Sequence, residues 1–318
     1  MSETTEVKRP PEPDFSAMTT EELITYRAAE NHWRASGAAR PILGEPDPGA
    51  AIEGQDVALP GRDLPVRVYR PVSMGEAAVA TDLPLVVHVH GGGFVGTAAQ
   101  CDWTNSHLAA RLPAVVVSVE HRLVAPDCPI ANAADDGWDV LQHLLRHASR
   151  WGIDPARVAV FGESFGGLIS ALTALRARET GLRLRAQVLV NPVVELTESM
   201  YDYPSMTEFG DGPTLALSQL RLLRRFAVPP GTDARVFSPL YADDLSGLAP
   251  ALLVVPTHDA VADHGRRYAE RLRTAGTSVR LTEYPEARHA FLTLPGMEPQ
   301  AKAAQAEILE FLRAALTG

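Results

Sequence analysis

Arg157-Val-Ala-Val-Phe-Gly-Glu-Ser-Phe-Gly-Gly167 is the stretch whose reading decides the fold. Val158 to Phe161 is a β-branched and aromatic run, and Leu168 to Ala177 is rich in Leu, Ala and Arg, so the segment reads as buried strand, tight turn and helix. Gly162 and Gly166 flank Ser164 where a side chain would collide in a sharp strand-to-helix turn, giving G-x-S-x-G. Such a turn lifts the hydroxyl clear of the sheet and sets the first N–H groups of the new helix beneath it, where negative charge is favoured. The pentapeptide alone arises by chance in roughly one chain in ten of this length, so its partners must carry the assignment of Ser164 as a nucleophile.

The first partner is His90-Gly91-Gly92-Gly93-Phe94, directly after the apolar run from Leu83. Three glycines let a backbone aim its N–H groups at an incoming oxygen without obstruction. The spacings of phosphate-binding loops, G-x-x-x-x-G-K-[ST] and G-x-G-x-x-G, are absent here.

Working outward, strand-like runs are expected at 51–59, 64–70, 83–90, 114–120, 186–190, 251–255 and 278–284, besides the one before Ser164. The first two, joined by Pro60-Gly-Arg-Asp63, read as an antiparallel edge hairpin. Helical patterns at about 131–150, 263–275 and 298–316 alternate with the later strands, which predicts an α/β fold: a mostly parallel eight-stranded sheet with helices on both faces. A crossover helix is expected between 90 and 114. Residues 1–50 form an N-terminal segment, polar, proline-rich and mobile to about 17, then a helix from the Thr19/Glu22 capping box to Ser36 that packs as a lid through Leu23, Ile24, Tyr26 and Trp33. The core divides into 51–194 and 245–318 around an insertion at 195–244 with a helix over 214–226, read as a helical cap roofing a substrate pocket.

Among 318 residues, 29 basic and 39 acidic side chains give a formal charge of −10, without a Lys/Arg run to neutralise successive phosphates, so nucleic acid is not the expected partner. Cys101 and Cys128 lack metal-ligand spacing and suit free thiols. The N-terminus lacks an apolar signal region and no run reaches membrane-span length, which favours a cytoplasmic protein without a membrane span.

A serine nucleophile of this kind needs an imidazole and a carboxylate at the same sheet edge. Asp259 follows the 251–255 strand, and His289 follows the 278–284 strand, one strand-helix-strand unit later. Asp263 is expected instead to cap the helix that begins there, and His258 and His264 to serve surface or packing roles.

Together these motifs resemble the hormone-sensitive lipase-like family (bacterial family IV) of α/β-hydrolases, over nearly the whole chain. Supporting matches are His121-Arg122-Leu123 with Ala125-Pro126-Asp127 and Ala134-Asp135-Asp136, Asp259-Ala-Val-Ala-Asp263, and His289-Ala-Phe291. The chain departs from the family by a residue inserted near Val124, by His121 for tyrosine, and by Phe165 for the alanine usual after the nucleophile. The resemblance implies a carboxylic ester hydrolase working through Ser164, His289 and Asp259. Its oxyanion would be held by N–H groups of Gly91 and Gly92, or Gly92 and Gly93, with Phe165, while His90 orients the loop. No metal or organic cofactor is implied, and the partner is a small-molecule ester. Phe94, Tyr201, Tyr203 and Phe209, with Phe165, would narrow the pocket and favour short acyl chains. An acyltransferase or cyclase of secondary metabolism would keep the same triad. A non-catalytic receptor of this family would have lost the histidine. A homodimer is left open. Exhaustive chelation should leave ester hydrolysis intact; loss of activity that added metal restores would overturn this reading.

Overall fold

The computed structural model describes residues 7–72 and 82–317. The strands are β1 (Ala50–Leu59), β2 (Arg62–Pro71), β3 (Leu83–Val89), β4 (Val115–Val119), β5 (Ile153–Glu163), β6 (Ala186–Val190), β7 (Ala251–His258) and β8 (Val279–Arg288). The helices are α1 (Thr20–Arg34), α2 (Arg40–Leu43), α3 (Asp102–Arg111), α4 (Ile130–Arg146), α5 (Ala148–Trp151), α6 (Phe165–Glu179), α7 (Pro204–Phe209), α8 (Leu217–Ala227), α9 (Ala262–Thr274) and α10 (Ala301–Leu316). One eight-stranded sheet runs in the order β1-β2-β4-β3-β5-β6-β7-β8. The β1/β2 and β2/β4 pairs are antiparallel and the rest parallel.

Alternation along the strands feeds two cores. Val87, Val117, Val160 and Leu253 pack on one face against α4, α6 and α9, whereas Val86, Val116, Phe161 and Leu252 pack on the other against α3 and α10. Strands buried on both faces show no polar alternation, which is why they read as continuous apolar runs. One expectation needs correction: β2 is not an edge strand, because it pairs with β4 as well as β1, leaving β1 alone at that edge.

The N-terminal segment brings a second correction. The Thr19/Glu22 capping box starts α1 as expected, but the chain before it is anchored on the fold at Val7 and Phe15. Phe15 is buried edge-on to Tyr26 and against Phe94, and Val7 packs on the small cluster of Trp33, Ala39 and Leu43. Composition alone reads as mobile here because a single aromatic anchor carries the packing. The part of that expectation falling on residues 1–6 lies outside the described residues.

The topology also fixes where a site can form. From β3 the chain crosses through α3, on one face, to β4; from β5 it turns into α6, on the other face. Neighbouring strands whose following helices diverge leave a crevice at their C-terminal ends, and that is where the glycine loop and the Ser164 turn lie.

A buried carboxylate secures the chain just after β4. The Asp136 side chain accepts hydrogen bonds from the backbone N–H and guanidinium of Arg122 and from Arg62. Asp136→Ala should therefore cost about 3 kcal/mol in chemical denaturation, the low end for breaking a buried pair because both arginines keep solvent contact. A loss below about 1 kcal/mol would mean that water replaces the carboxylate.

Candidate active site

Ser164 sits between β5 and α6 at φ 52° and ψ −116°, a left-handed backbone that a non-glycine residue adopts only when its surroundings impose it. Its N–H donates to the Val190 carbonyl at 2.9 Å, and its carbonyl accepts from Val193 N–H at 3.1 Å and Leu168 N–H at 3.2 Å. The flanking glycines are required by space: a Cβ on Gly162 would stand 2.2 Å from the Gly166 carbonyl oxygen, and one on Gly166 would stand 2.1 Å from that of Val89.

The expected base and acid converge on the serine. His289 Nε2 lies 2.8 Å from Ser164 Oγ, and His289 Nδ1 lies 2.8 Å from Asp259 Oδ2. The other carboxylate oxygen of Asp259 accepts the Val261 N–H at 3.0 Å. Register brings the two together. Pro256 pairs with Tyr284, but after an irregularity His258 pairs with Arg288, so Asp259 and His289 leave β7 and β8 side by side. Both are buried, with His289 at the cavity wall and Asp259 behind it.

The glycine loop lies against this serine. Gly91, Gly92, Gly93, Phe94, Ser164, Phe165 and His289 all line one cavity of about 220 Å³. The Gly91 carbonyl is held by His90 Nδ1 at 2.9 Å and Gln100 Nε2 at 3.0 Å, and the Gly93 carbonyl by Val124 N–H at 2.8 Å. Across a trans peptide the N–H points opposite to the carbonyl, so the Gly92 N–H faces away from Gln100. Beneath the loop, His90 stacks on His121 at 4.3 Å, and Glu120 accepts from Thr97 Oγ1 and Ala98 N–H and faces His90 Nε2 at 3.5 Å. Burial would raise the Glu120 pKa, but the His90 bond and charge, with the Thr97 and Ala98 donors, hold it down to about 2. Burial, reinforced by the neighbouring His90, pushes His121 down to about 3.

Several expected roles change. Of the four pocket aromatics, only Phe94 lines the cavity. Tyr203 is turned under the insertion, donating its hydroxyl to Glu195 and packing on His264; Tyr201 lies beneath Arg221; and Phe209 stacks on His258. The cavity is roofed instead by Phe15, Tyr26 and Trp33 from the N-terminal segment and by Leu215, Leu220 and Leu223 from the insertion. Asp263 does not cap its own helix, whose N-cap residue is Val261; its carboxylate accepts the Ser205 N–H at 2.9 Å in the first turn of α7 and pairs with Arg266. His264 is fully buried, accepts the Val194 N–H at Nδ1, and is pushed down to about 4 by burial, which leaves it a packed neutral ring. His258 is exposed under Phe209.

Sequence spacing also gave no sign of His88, Cys101 and Glu163, whose ligand atoms lie within 4.8 Å of one another below the serine. They are far apart in the chain and all buried. Glu163 accepts from Thr293 Oγ1 at 2.5 Å and Cys101 Sγ at 3.7 Å, while His88 Nδ1 meets Ser118 Oγ at 2.8 Å. Burial, with the nearby Glu163 charge, raises the Cys101 thiol well above its usual pKa. A protonated thiol is a poor metal ligand, and the group is read as a hydrogen-bonded support under the turn. Both cysteines are free thiols.

With this geometry in hand, comparison with known proteins is informative. Residues 86–293 match the alpha/beta hydrolase fold family. A carboxylesterase of Mycobacterium tuberculosis is 36% identical over 304 residues, covering 92% of each chain. An ethyl acetate hydrolase of Pseudomonas putida is 33% identical over 267 residues, covering 81% of each. A solved ester hydrolase from the metagenome of Lake Arreo, in complex with a bipyridine phosphonate derivative, superposes with a TM-score of 0.85 at 29% identity, covering 96% of this chain and 94% of that one. Among the described residues no helix is long and apolar enough to cross a membrane.

The two aspartates give a direct test. Asp259→Asn should lower kcat by about 10⁴ through the wrong imidazole tautomer, while Asp263→Asn should leave kcat near wild type and lower only stability. The reverse pattern in steady-state kinetics would show that the carboxylate pairing with His289 had been assigned to the wrong residue.

Proposed function

The chain belongs to the hormone-sensitive lipase-like family of α/β-hydrolases and is a carboxylic ester hydrolase, and from that premise we propose that Ser164, His289 and Asp259 are its catalytic triad. The observation that carries this is the continuous chain of 2.8 Å contacts from Ser164 Oγ through His289 to Asp259. Ser164 Oγ attacks the ester carbonyl as its proton passes to His289 Nε2. The imidazolium so formed is stabilised by Asp259 and returns the proton to the departing alcohol. Water, deprotonated by the same imidazole, then attacks the acyl-enzyme, and the carboxylic acid leaves with Ser164 restored.

The tetrahedral oxyanion is assigned to the N–H groups of Gly92, Gly93 and Phe165. The anchoring of the Gly91 carbonyl on Gln100 turns the Gly92 N–H the other way, and Phe165, as the first residue of α6, has no intrahelical acceptor. Each such donor is worth about 3 kcal/mol of barrier. Residues 195–244 act as a cap: with residues 1–50 they close the crevice over the serine, while 51–194 and 245–318 supply the sheet.

The substrate is a small ester with a short acyl chain. Phe165 is fully buried against Gly93, its ring atoms 3.0 Å from where a Gly93 Cβ would stand, and Phe94, packed on Phe15, lines the same cavity. The name of the ethyl acetate hydrolase relative points the same way. Each methylene that fits gains about 0.8 kcal/mol, whereas one that displaces packed rings costs roughly 1–3 kcal/mol.

Two measurements test this reading. A serine-directed phosphonate should leave its adduct on Ser164 alone, with Ser164→Ala folded but inert; an adduct on another serine would refute the triad. With p-nitrophenyl esters of graded length, kcat/KM should peak at about two to six acyl carbons, and Phe165→Ala should move the peak upward. A wild-type preference for ten or more carbons would refute the short-chain proposal while leaving the triad intact.

A further inference from the structure

We propose that α1 positions the oxyanion donors, so that seating the roof over the cavity and assembling the oxyanion hole are a single event; this rests on the assignment of Gly92 and Gly93 as donors. The helix carries two adjacent stripes. Tyr26, Glu30 and Trp33, at i, i+4 and i+7, line the cavity. One residue further on, Arg27, Asn31 and Arg34 repeat the spacing and grip the loop that follows β3.

Every member of this second stripe reaches the loop. Arg27 donates from Nε to the Phe94 carbonyl at 2.6 Å and from Nη2 to the Val124 carbonyl at 2.7 Å. Val124 in turn donates its own N–H to the Gly93 carbonyl at 2.8 Å, so one guanidinium ties together the two segments that flank Gly93. The Asn31 side-chain oxygen accepts the Gly96 N–H at 2.8 Å. Arg34 Nη1 donates to Gln100 Oε1 at 2.8 Å, and Gln100 passes the restraint on, donating from Nε2 to the Gly91 carbonyl at 3.0 Å.

A run of three glycines has more backbone freedom to lose than any other sequence, so its geometry must come from outside the run. Two supports supply it. Glu120 holds Thr97, Ala98 and His90 from the sheet side, and this support stays in place without α1. The α1 stripe sets the remaining freedom, namely where the Gly91 and Gly93 carbonyls point and hence where the neighbouring N–H groups point. Hydrogen-bond donors misplaced by even a fraction of an ångström lose transition-state stabilisation while ground-state binding by the cavity walls persists. Arg27 and Asn31 lie off the cavity lining, which Arg34 joins, and all three are positioning residues acting through the loop.

The full-length protein with Arg27→Met, which keeps the stem and removes the donors, and with Asn31→Leu, of similar shape without the acceptor, tests the proposal. Readouts are kcat and KM on p-nitrophenyl acetate, the inhibition constant of a short-chain alkyl trifluoromethyl ketone, whose serine hemiketal places an oxyanion in the hole, and the thermal midpoint. Both variants should lose about tenfold or more in kcat with KM changed less than about twofold. The affinity of the trifluoromethyl ketone should fall by the same factor, with a folded circular-dichroism spectrum. Ile24→Ser should match wild type, because Ile24 is 58% exposed and does not pack as its sequence pattern suggested. Unchanged kcat in both variants, or a raised KM with kcat retained, would overturn the proposal and leave α1 as roof only. A wild-type enzyme that hydrolyses the ester but forms no hemiketal on Ser164 would instead refute the triad assignment on which the proposal rests.

Discussion

The backbone of Ser164 is the constraint on which the rest of the structure depends. A left-handed conformation at a non-glycine residue costs on the order of 1–3 kcal/mol, and it persists because three hydrogen bonds, to Val190, Val193 and Leu168, tie the residue to the end of β6 and to α6. The hydroxyl is thereby presented by the main chain rather than by a freely rotating side chain. The same turn requires α6 to approach the end of β3 so closely that position 166 has no room for a Cβ. That approach brings the glycine loop to the serine: a Cβ on Gly91 would be 3.5 Å from Ser164 Cβ. Ser164 and the glycine loop are one packed unit, and neither can be moved without moving the other.

His289, the proposed general base, reaches this unit through sheet register. Parallel strands end at one edge of a sheet, which brings residues following β5, β7 and β8 to the same rim, but only approximately. The irregularity between Pro256 and His258 gives β8 two extra residues relative to β7, with Glu286 at φ 63°. It advances His289 into line with Asp259, and the positive φ of Ala290 turns the chain away directly afterwards. An uninterrupted pairing from Pro256 with Tyr284 would set Asp259 beside Ala287 instead.

What the sequence disclosed follows from the range over which each signal acts. The eight strands and the long helices were legible because the sheet is buried on both faces and its runs are unbroken; the meeting of Ser164, Asp259 and His289 was legible because each stands just beyond one of those runs. Long-range pairings were not. Asp263 stands in a helix-starting context, and its actual partner, Ser205, is 58 residues away in the insertion. Tyr201, Tyr203 and Phe209 were chosen by order in an insertion with no period to distinguish one face from another. Tyr203 turned out to be held by the buried Glu195, and the roof was supplied by Leu215, Leu220 and Leu223. Phe15 was hidden in a proline-rich stretch whose composition argued for mobility.

The carboxylates surrounding the site complete the electrostatic argument. Glu163 and Glu30 line the cavity and Glu120 lies under the glycine loop, and in a poorly solvated crevice a bare carboxylate beside the proposed oxyanion would oppose the reaction by several kcal/mol. Each is engaged by donors: Glu163 by Thr293 and Cys101, Glu120 by Thr97, Ala98 and His90, and Glu30 by Arg34 and Arg9. Two of these sets of donors belong to the oxyanion loop or to its α1 anchor. The interactions that neutralise unwanted negative charge are therefore the ones that fix the loop, so the field at the oxyanion position and the geometry of its donors are set by the same bonds. An Asn31 or Arg27 change loosens geometry while sparing these pairs, whereas loss of the Glu120 carboxylate removes a charge and an anchor together. Glu120 is for that reason the less informative place to separate electrostatics from positioning, and α1 the more informative one.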